Sequence, residues 1–276
     1  MTAEEARWYA AAELEAAGVP DARLDAMLLL EWSTGIQRSH ILAYPEEELD
    51  EASEKRFFEA VGRRKRREPL QYITGSQEFM GLDFMVDARV LIPRQDTETL
   101  VCEALSFLSP GMEVLDLCTG SGCIILSLCA KCAGIQGTGS DFSENALEVA
   151  RGNSGRLDIA ADFVLSDLFD KIEGRYDVIV SNPPYIESGG IPSLMDEVRL
   201  YEPLSALDGH QDGLYFYRRI AKEAPSFLKD DGRIFLEIGC GQGADVSGML
   251  REAGFEDIKV VRDLCGHDRV VEGRYV

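Results

Sequence analysis

From about residue 96 onward, short apolar segments alternate with amphipathic segments, and this alternation constrains the fold more than any other feature. The apolar segments have the length of buried strands, and the segments between them carry apolar residues at helical spacing. Strands that alternate with helices are typical of parallel sheets, because a parallel connection needs a long crossover. The sequence therefore predicts an α/β domain with a doubly wound, mostly parallel sheet and helices on both faces. The predicted strands are 114–117, 135–140, 163–165, 178–180 and 234–238, and the clearest predicted helices are 124–132 and 144–151.

The first 75 residues have a different pattern, rich in Ala, Glu, Leu and Arg, which predicts a small helical domain. Pro20-Asp21 is a typical helix start, and Gly35 is a typical helix end. Residues 78–84 contain two short apolar stretches around Gly81, which predict a β-hairpin. We therefore expect a helical domain over 1–75, a hairpin linker over 76–95 and the α/β domain over 96–276.

Composition narrows the class of protein. The 276 residues include 28 Lys and Arg against 49 Asp and Glu, a net charge of −21, so a broad basic surface for DNA is not expected. No apolar run approaches the roughly 18 residues of a membrane span, and the first residues lack a signal-peptide pattern. We therefore expect no membrane contact and a cytoplasmic location. Cys129 and Cys132 have the spacing of half a zinc site, but no second pair of ligands matches them, so we expect no metal.

One run, Arg-Arg-Lys-Arg-Arg at residues 63–67, is strongly basic despite the overall acidity. Such a run can contact RNA or the ribosome. It can also be the solvated end of a helix, where cations complement the helix dipole. The absence of interleaved aromatic residues and the Glu68-Pro69 pair that ends the run favour the helix end, and contact with RNA stays open.

The first candidate ligand site is a glycine-rich turn that follows the strand 114–117. Its residues are Cys118, Thr119, Gly120, Ser121 and Gly122. In a doubly wound sheet such a turn lies at the carboxyl end of a central strand, where ligands bind. The third glycine of the dinucleotide fingerprint is missing, because Ile125 stands in its position. Asp116, just before the turn, suits a cationic amino group better than a phosphate, which favours S-adenosylmethionine as the ligand.

Two further strand ends carry acidic residues. Asp141 ends the second strand, where a carboxylate can accept both hydroxyl protons of a ribose. The alternative role for Asp141 is that of a helix N-cap, but Ser143 is the better N-cap candidate. Asp167 follows the third strand, where a purine amino group can be met. Phe142 and Leu168 can sandwich an adenine or equally belong to the core.

The most specific motif is Asn182-Pro183-Pro184-Tyr185, directly after the strand 178–180. The two prolines remove two N–H donors and fix the backbone, and Asn182 before them is held extended. The Asn182 oxygen and a nearby backbone carbonyl can then both accept hydrogen bonds from one –NH2 group, while Tyr185 lies flat against that group. Such a site holds a weakly nucleophilic, conjugated nitrogen at attack distance from an electrophile.

Together, Asp116, Gly120-x-Gly122, Asp141 and the Asn182-Pro-Pro-Tyr185 motif resemble the class I S-adenosylmethionine-dependent methyltransferases that methylate amino groups. Further segments narrow the resemblance to the peptide-chain release factor glutamine methyltransferases. They are Glu-Pro-Leu-Gln-Tyr-Ile-Thr-Gly at 68–75, Glu-Phe-Met-Gly-Leu-Asp-Phe at 78–84, Val-Leu-Ile-Pro-Arg-Gln-Asp-Thr-Glu at 90–98, and Val-Arg-Leu-Tyr-Glu-Pro-Leu-Ser-Ala-Leu at 198–207 with Asp212-Gly213. The resemblance covers nearly the whole chain after residue 65.

The resemblance implies a Rossmann-like enzyme that transfers a methyl group from S-adenosylmethionine to the side-chain amide nitrogen, N5, of the glutamine in the Gly-Gly-Gln motif of release factors. The other product is S-adenosylhomocysteine. We expect the helical domain to dock this protein substrate. The implied cofactor-binding residues are Cys118, Thr119, Gly120, Ser121, Gly122, Asp141, Phe142, Asp167, Leu168 and Asn182. The implied substrate-binding residues are Asn182, Pro183, Pro184 and Tyr185, with Asn182, Pro183 and Tyr185 as the catalytic ones.

Three residues depart from the family pattern. Gln95 stands where the family usually has Pro, which affects the local turn. Leu168 stands where many members have Trp, so the adenine wall is expected to be aliphatic. Cys118 replaces a common Gly, and we expect little effect provided that its φ is negative.

Two other functions are open to a chain with these motifs. A nucleic-acid N6-adenine methyltransferase would use the same motif, with Tyr185 stacked on a flipped base. The net charge of −21 and the lack of a separate basic domain count against it. A non-catalytic cofactor-binding or ribosome-interacting module is the third possibility, and the intact 182–185 motif argues against lost activity.

Overall fold

The computed structural model describes residues 1–276, and its first 75 residues form five helices around one apolar core. They are α1 (Ala3–Ala16), α2 (Ala22–Thr34), α3 (Arg38–Ala43), α4 (Glu51–Lys65) and α5 (Leu70–Thr74). The Thr2 hydroxyl and the Glu5 carboxylate form a capping box at the start of α1, and Asp50 caps α4. As predicted, α2 begins after Asp21 and ends at Gly35, whose φ of 72° suits glycine.

The remaining elements form the α/β part of the chain. A hairpin of β1 (Ser76–Phe79) and β2 (Leu82–Met85) comes first. The strands of the main sheet are β3 (Glu113–Leu117), β4 (Gln136–Asp141), β5 (Asp162–Leu165), β6 (Tyr176–Ser181), β7 (Leu228–Glu237), β8 (Phe255–Arg262) and β9 (Asp268–Tyr275). The helices are α6 (Glu98–Phe107), α7 (Cys123–Lys131), α8 (Glu144–Leu157), α9 (Asp196–Tyr201), α10 (Tyr215–Glu223) and α11 (Gly243–Glu252).

The seven strands lie in the order β5-β4-β3-β6-β7-β9-β8, and only β9 runs against the others. The strand order reverses beside β3, so the carboxyl ends of β3 and β6 border the crevice in which ligands of doubly wound sheets bind. Buried apolar side chains cover both faces of the sheet. The predicted fold class is confirmed, and each of the five predicted strands is present.

The strands β8 and β9 and the helices α6, α9, α10 and α11 were not predicted individually. The strands β8 and β9 each contain four charged residues, so they lack the continuous apolar run that identifies the central strands. The helix α9 groups with the first 75 residues, so the helical unit consists of Met1–Gly75 and Met195–Tyr201. The other unit consists of Ser76–Leu194 and Glu202–Val276, and it includes the hairpin that the sequence assigned to a separate linker.

Buried ion pairs explain why α9 belongs to the helical unit. Glu197 on α9 accepts hydrogen bonds from Arg64 at 3.1 Å and from Arg67 at 2.7 and 2.6 Å, and Arg64 also donates to Asp25 at 2.6 Å. Most of the cations in the basic run at 63–67 are therefore paired within the helical unit, since Arg63 and Lys65 also pair with acidic residues. This pairing agrees with the helix-end interpretation.

None of the helices has both the length and the apolar content that crossing a membrane requires.

Candidate active site

The register of the sheet brings four side chains together at the carboxyl ends of its strands, and three of them belong to the predicted site. Leu117 on β3 lies opposite Ser140 on β4 and Ser181 on β6, and Ser181 lies opposite Leu236 on β7. The residues that come next on the four strands therefore lie side by side at the carboxyl end of the sheet. These residues are Asp141, Cys118, Asn182 and Glu237.

A cavity of about 780 Å³, including space open to solvent, lies over this edge. Its wall contains eight of the residues that the sequence singled out: Cys118, Thr119, Gly120, Ser121, Asp141, Phe142, Asn182 and Pro184. The segments 89–97 and 203–206 supply much of the remaining wall, including Arg94 and Thr97. Gly122, Asp167, Leu168, Pro183 and Tyr185 are not part of the wall.

The glycine-rich turn has an unusual backbone. Gly120 and Gly122 have φ values of 54° and 79°, and the backbone N–H of Gly122 donates to Thr119. Cys118 has a φ of 58°, whereas the replacement of the family's Gly by Cys was expected to have little effect only if φ were negative. A residue with a Cβ is strained in this conformation, which accounts for the glycine that the family commonly has there.

Asp141 is held by the backbone on both sides. One carboxylate oxygen accepts from the Gly120 N–H at 3.0 Å, and the other accepts from the Ser143 N–H at 2.9 Å. Ser143 is the N-cap of α8, as predicted, because its hydroxyl accepts from the Ala146 N–H. Burial raises the pKa of Asp141, and these backbone donors partly offset the effect. Each carboxylate oxygen keeps a lone pair for a hydroxyl donor in the cavity.

Asp116 lies behind the turn rather than in the cavity. It is fully buried, and its Oδ2 accepts from the Thr119 hydroxyl at 2.6 Å while Oδ1 has no hydrogen-bond partner. Burial raises the pKa of Asp116 to about 7. Asp116 therefore does not line the cavity, and the Thr119 hydroxyl lies between its carboxyl group and the turn, so its contact with a cationic ligand stays a prediction.

Two of the three residues predicted to hold a purine lie outside the cavity wall. Asp167 accepts from Arg219 at 2.8 Å on the surface. Leu168 packs in the core beside Leu117 and Phe169. Phe142 is the remaining predicted aromatic contact, and its side chain is 55% exposed at the cavity wall. Gln95, where the family usually has Pro, begins a 3-10 turn over Gln95–Thr97, so this turn forms without the proline.

The loop 182–185 is fixed by close packing of the backbone. The Gln242 side chain donates to the Tyr185 carbonyl at 3.1 Å and to the Gly213 carbonyl at 3.3 Å. A Cβ at Gly213 would collide with the Tyr185 carbonyl, and one at Gly209 would lie 2.8 Å from the Tyr185 Cα. These contacts explain the Asp-Gly pair at 212–213, since only glycine allows so close an approach.

Tyr185 itself packs against the core below the sheet edge, and burial raises its pKa to about 12. Its hydroxyl is therefore neutral at ordinary pH. Asn182 is half-buried, and its Nδ2 donates to the Thr97 hydroxyl at 3.3 Å. With Nδ2 engaged in this way, Oδ1 is the atom of Asn182 that is free to accept from a ligand.

Three residues at or beside the site, Thr97, Gln242 and Glu237, were not among the predicted site residues. Glu237 is 1% exposed, and it ends the apolar strand β7 just as Asp141 ends β4. A single acidic residue at the end of an apolar run was the available signal. Thr97 and Gln242 carry no such signal, because their roles depend on contacts between distant segments.

Comparison with known proteins gives consistent matches over both units. The model of the PrmC N-terminal domain matches residues 5–75, and the model of the methyltransferase small domain matches residues 96–197. The release factor glutamine methyltransferase of Agrobacterium fabrum is 42% identical over 95% of this chain and 93% of its own length. That of Koribacter versatilis is 42% identical over 99% of both chains.

A solved structure supports the fold independently. The crystal structure of a methyltransferase from Pyrococcus furiosus aligns with a TM-score of 0.56 and 19% identity, over 77% of this chain and 98% of that one. At this level of identity the match establishes the fold alone.

Proposed function

The chain belongs to the release factor glutamine methyltransferase family, and we propose that it transfers a methyl group from S-adenosylmethionine to N5 of the glutamine in the Gly-Gly-Gln motif of peptide-chain release factors. The observation that carries the proposal is the position of Asn182, which lines the same cavity as Asp141 and whose Nδ2 is engaged by the Thr97 hydroxyl, so that Oδ1 is left to accept from a ligand. An amide –NH2 group is a donor that this acceptor fits.

The cavity residues fit S-adenosylmethionine. The Asp141 oxygens keep lone pairs for two ribose hydroxyls, and the positive φ values at 118–122 bring the backbone of the turn to the cavity surface. Phe142 and Ile124 supply apolar surface for an adenine. Arg89 and Arg94 in the wall are already paired with carboxylates, so the site does not favour a phosphate. When bound, the cofactor supplies a methyl group on a cationic sulfur.

The residues 182–185 orient the glutamine amide. Asn182 Oδ1 and the Pro183 carbonyl accept the two amide protons, and the conjugated nitrogen is thereby held toward the methyl donor. No general base is needed before attack, because the amide is neutral. Asn182, the Pro183 carbonyl and water are the acceptors for the proton that the nitrogen sheds afterwards. The contacts from Gln242 and Gly213 keep the loop from relaxing during this step.

We further propose that the helical unit docks the release factor, and that the reaction occurs in the cytoplasm. Support comes from Trp8 and Tyr9, two large aromatic side chains of α1 that are about half exposed. Aromatic residues with an exposed face are common binding anchors. In the Trp8→Glu variant, KM for an intact release factor should rise, whereas KM for a short Gly-Gly-Gln peptide should not. An equal rise for both substrates would contradict the docking role.

Labelling with a radioactive methyl group tests the proposed reaction. The chain is incubated with labelled S-adenosylmethionine and either a release factor, the same factor with the Gly-Gly-Gln glutamine replaced, or duplex DNA. We expect label on the glutamine of the first substrate alone. Label on adenine in the DNA would instead identify a nucleic-acid N6-adenine methyltransferase, and label on neither would leave a binding module.

A further inference from the structure

Glu237 lies beside Asn182 at the carboxyl ends of β7 and β6, because the residues that precede them, Leu236 and Ser181, are paired in the sheet. Its side chain is almost completely buried. The Tyr217 hydroxyl donates to the Glu237 backbone carbonyl at 2.7 Å and thereby fixes the end of β7. A buried carboxyl group that no described step of the reaction uses therefore lies on the residue next to the one that receives the substrate amide.

The hydrogen bonds around Asn182 are donated in sequence, from Asn182 to Thr97 and from Thr97 toward Glu237. Asn182 Nδ2 donates to the Thr97 hydroxyl, which has one proton of its own to donate. The Glu237 carboxyl group faces both Thr97 and Asn182, and its Oε2 has no hydrogen-bond partner. An ionised carboxylate can only accept, so it draws the Thr97 proton and the Nδ2 protons toward itself. The amide oxygen of Asn182 is then turned toward the cavity.

We propose that Glu237 is a positioning residue whose carboxylate, acting through Thr97, holds Asn182 with its amide oxygen toward the substrate. This inference rests on the proposed function. A protonated Glu237 becomes a donor, which reverses the hydrogen bond to Thr97 and removes the preference for one orientation of the Asn182 amide. With Nδ2 toward the cavity, Asn182 would meet the donor groups of the substrate amide with a donor of its own.

The surroundings of Glu237 make this reversal accessible near neutral pH. Burial raises the pKa of Glu237 to about 7, an effect that Thr97 and Arg269 oppose. Because the pKa is raised, the orienting carboxylate is present above about pH 7 and is lost as the pH falls through that value. The charged and titratable groups that act on Glu237 are Arg269 on β9, Asp96 before α6, Tyr185 in the loop, Tyr217 on α10 and Cys123 on α7.

Single-turnover transfer to a release factor between about pH 6 and 8 tests the proposal. Glu237→Gln should lower the rate about tenfold at the upper pH, as expected for one lost orienting hydrogen bond, and should abolish the rise of the rate with pH. Its affinity for S-adenosylmethionine should stay within about twofold, since the group acts on the amide site. Glu272→Gln, at another buried carboxylate of the same unit, is the control and should keep the wild-type pH profile.

Thr97 provides a second test that leaves Glu237 intact. Thr97→Val keeps the shape but removes the hydroxyl, and Thr97→Ser keeps the hydroxyl. The Ser variant should transfer methyl at least about tenfold faster than the Val variant, because only the Ser variant completes the hydrogen-bond chain. Equal rates for the two variants, or a wild-type rate and pH profile for Glu237→Gln, would overturn the proposal.

A spectroscopic measurement separates this proposal from the proposed function. With ¹⁵N-labelled asparagine, the side-chain amide signal of Asn182 is identified by its loss in Asn182→Asp. Its shift should titrate with a midpoint near 7 in the wild type but not in Glu237→Gln. Persistence of the titration in Glu237→Gln would assign it to another group, such as Asp116, and would refute the role of Glu237. A chain that methylates no release factor but shows this titration would refute only the proposed function.

Discussion

In the helical unit, the buried carboxylates of Asp25 and Glu197 face Arg64, whereas in the α/β unit the buried carboxyl groups of Asp116 and Glu237 each keep one oxygen without a partner. The consequences for titration differ. Burial raises the pKa of Asp25 in spite of its hydrogen bond to Arg64, whereas at Glu197 the hydrogen bonds from both Arg67 and Arg64 outweigh burial and the pKa lies below its usual value. Burial raises the pKa of both Asp116 and Glu237 to about 7.

The difference indicates two uses of buried charge. A carboxylate that accepts from two guanidinium groups has its hydrogen-bonding capacity filled, so it holds segments together and can do little else. A carboxyl group with a free oxygen costs stability but stays able to gain or lose a proton beside the cavity. We therefore expect substitutions in the first cluster to change folding, and substitutions around the second to change chemistry and pH dependence.

The largest expected effect is on the stability of the helical unit. Arg64→Met leaves Asp25 and Glu197 buried without their shared cation, which should lower the free energy of unfolding by about 3–5 kcal/mol. Both tryptophans, Trp8 and Trp32, lie in this unit, so their fluorescence during urea unfolding reports it selectively. Lys65→Met removes an exposed pair and should shift the transition far less. If the two variants unfold together, the buried cluster does not stabilise the unit as argued.

The catalytic loop should show the opposite behaviour. Asn182→Ala removes the acceptor for the substrate amide and should lower single-turnover methyl transfer by about 10²-fold or more. The tryptophan-detected unfolding of the helical unit should not change. Tyr185→Phe should matter less than Tyr185→Ala, since the ring contact survives without the hydroxyl. Transfer by Asn182→Ala at the wild-type rate would exclude the amide-orienting mechanism.

At the cofactor end of the cavity, the expected effect is on affinity. Asp141→Ala removes the acceptor for two ribose hydroxyls and should weaken S-adenosylmethionine binding by about 1.5–3 kcal/mol. Isothermal titration calorimetry measures this directly. Asp167→Ala is the informative comparison, because Asp167 lies outside the cavity wall and pairs with Arg219. A larger loss at Asp167 than at Asp141 would reverse the assignment of the two carboxylates.

The raised pKa of Asp116 predicts how stability depends on pH. Since the folded chain binds this proton more tightly than the unfolded chain, the stability contribution is complete below about pH 4 and is lost as the pH rises through about 7. Asp116→Asn should therefore reduce the decline by up to about 1.4 kcal/mol per pH unit. Urea unfolding followed by circular dichroism between about pH 5 and 8 measures the two slopes. Identical slopes would mean that Asp116 is not a raised-pKa group.

The smallest expected effect concerns the strained turn. Cys118→Gly relieves a positive φ and should stabilise the α/β unit by about 1 kcal/mol. Cys118→Ala removes the sulfur but keeps the Cβ, so it is the matched control and should bring no gain. Thermal unfolding of the two variants decides the point, and an equal gain in both would assign the effect to the thiol instead.

Local signals predicted much of this molecule. Apolar runs located the central strands, and a polar residue at a strand end located Asp141 and Asn182. The position of Ser143 three residues before Ala146 predicted the N-cap of α8. Each of these inferences depends on interactions within a few residues, and the order of strands in doubly wound sheets then brings the strand ends together.

The remaining features depend on contacts between distant segments. Glu237, Thr97 and Asn182 come from three separate parts of the chain, and the pattern of each segment alone shows no reason for them to meet. Leu168 was predicted as a cofactor wall but packs in the core, because an apolar residue after a strand suits either place. The positive φ of Cys118 was not predictable either, since a cysteine gives no local sign of a left-handed backbone.

The return of α9 to the helical unit has a consequence for synthesis of the chain. Residues 1–75 leave the ribosome first, but Glu197, the partner of Arg64 and Arg67, is added long after them. At a translation rate of about 5–20 residues per second, Glu197 is synthesised on the order of ten seconds after the two arginines. The helical unit is therefore completed late, after most strands of the other unit have been made. In a nascent chain stalled before residue 195, Arg64 and Arg67 would lack Glu197 as their partner.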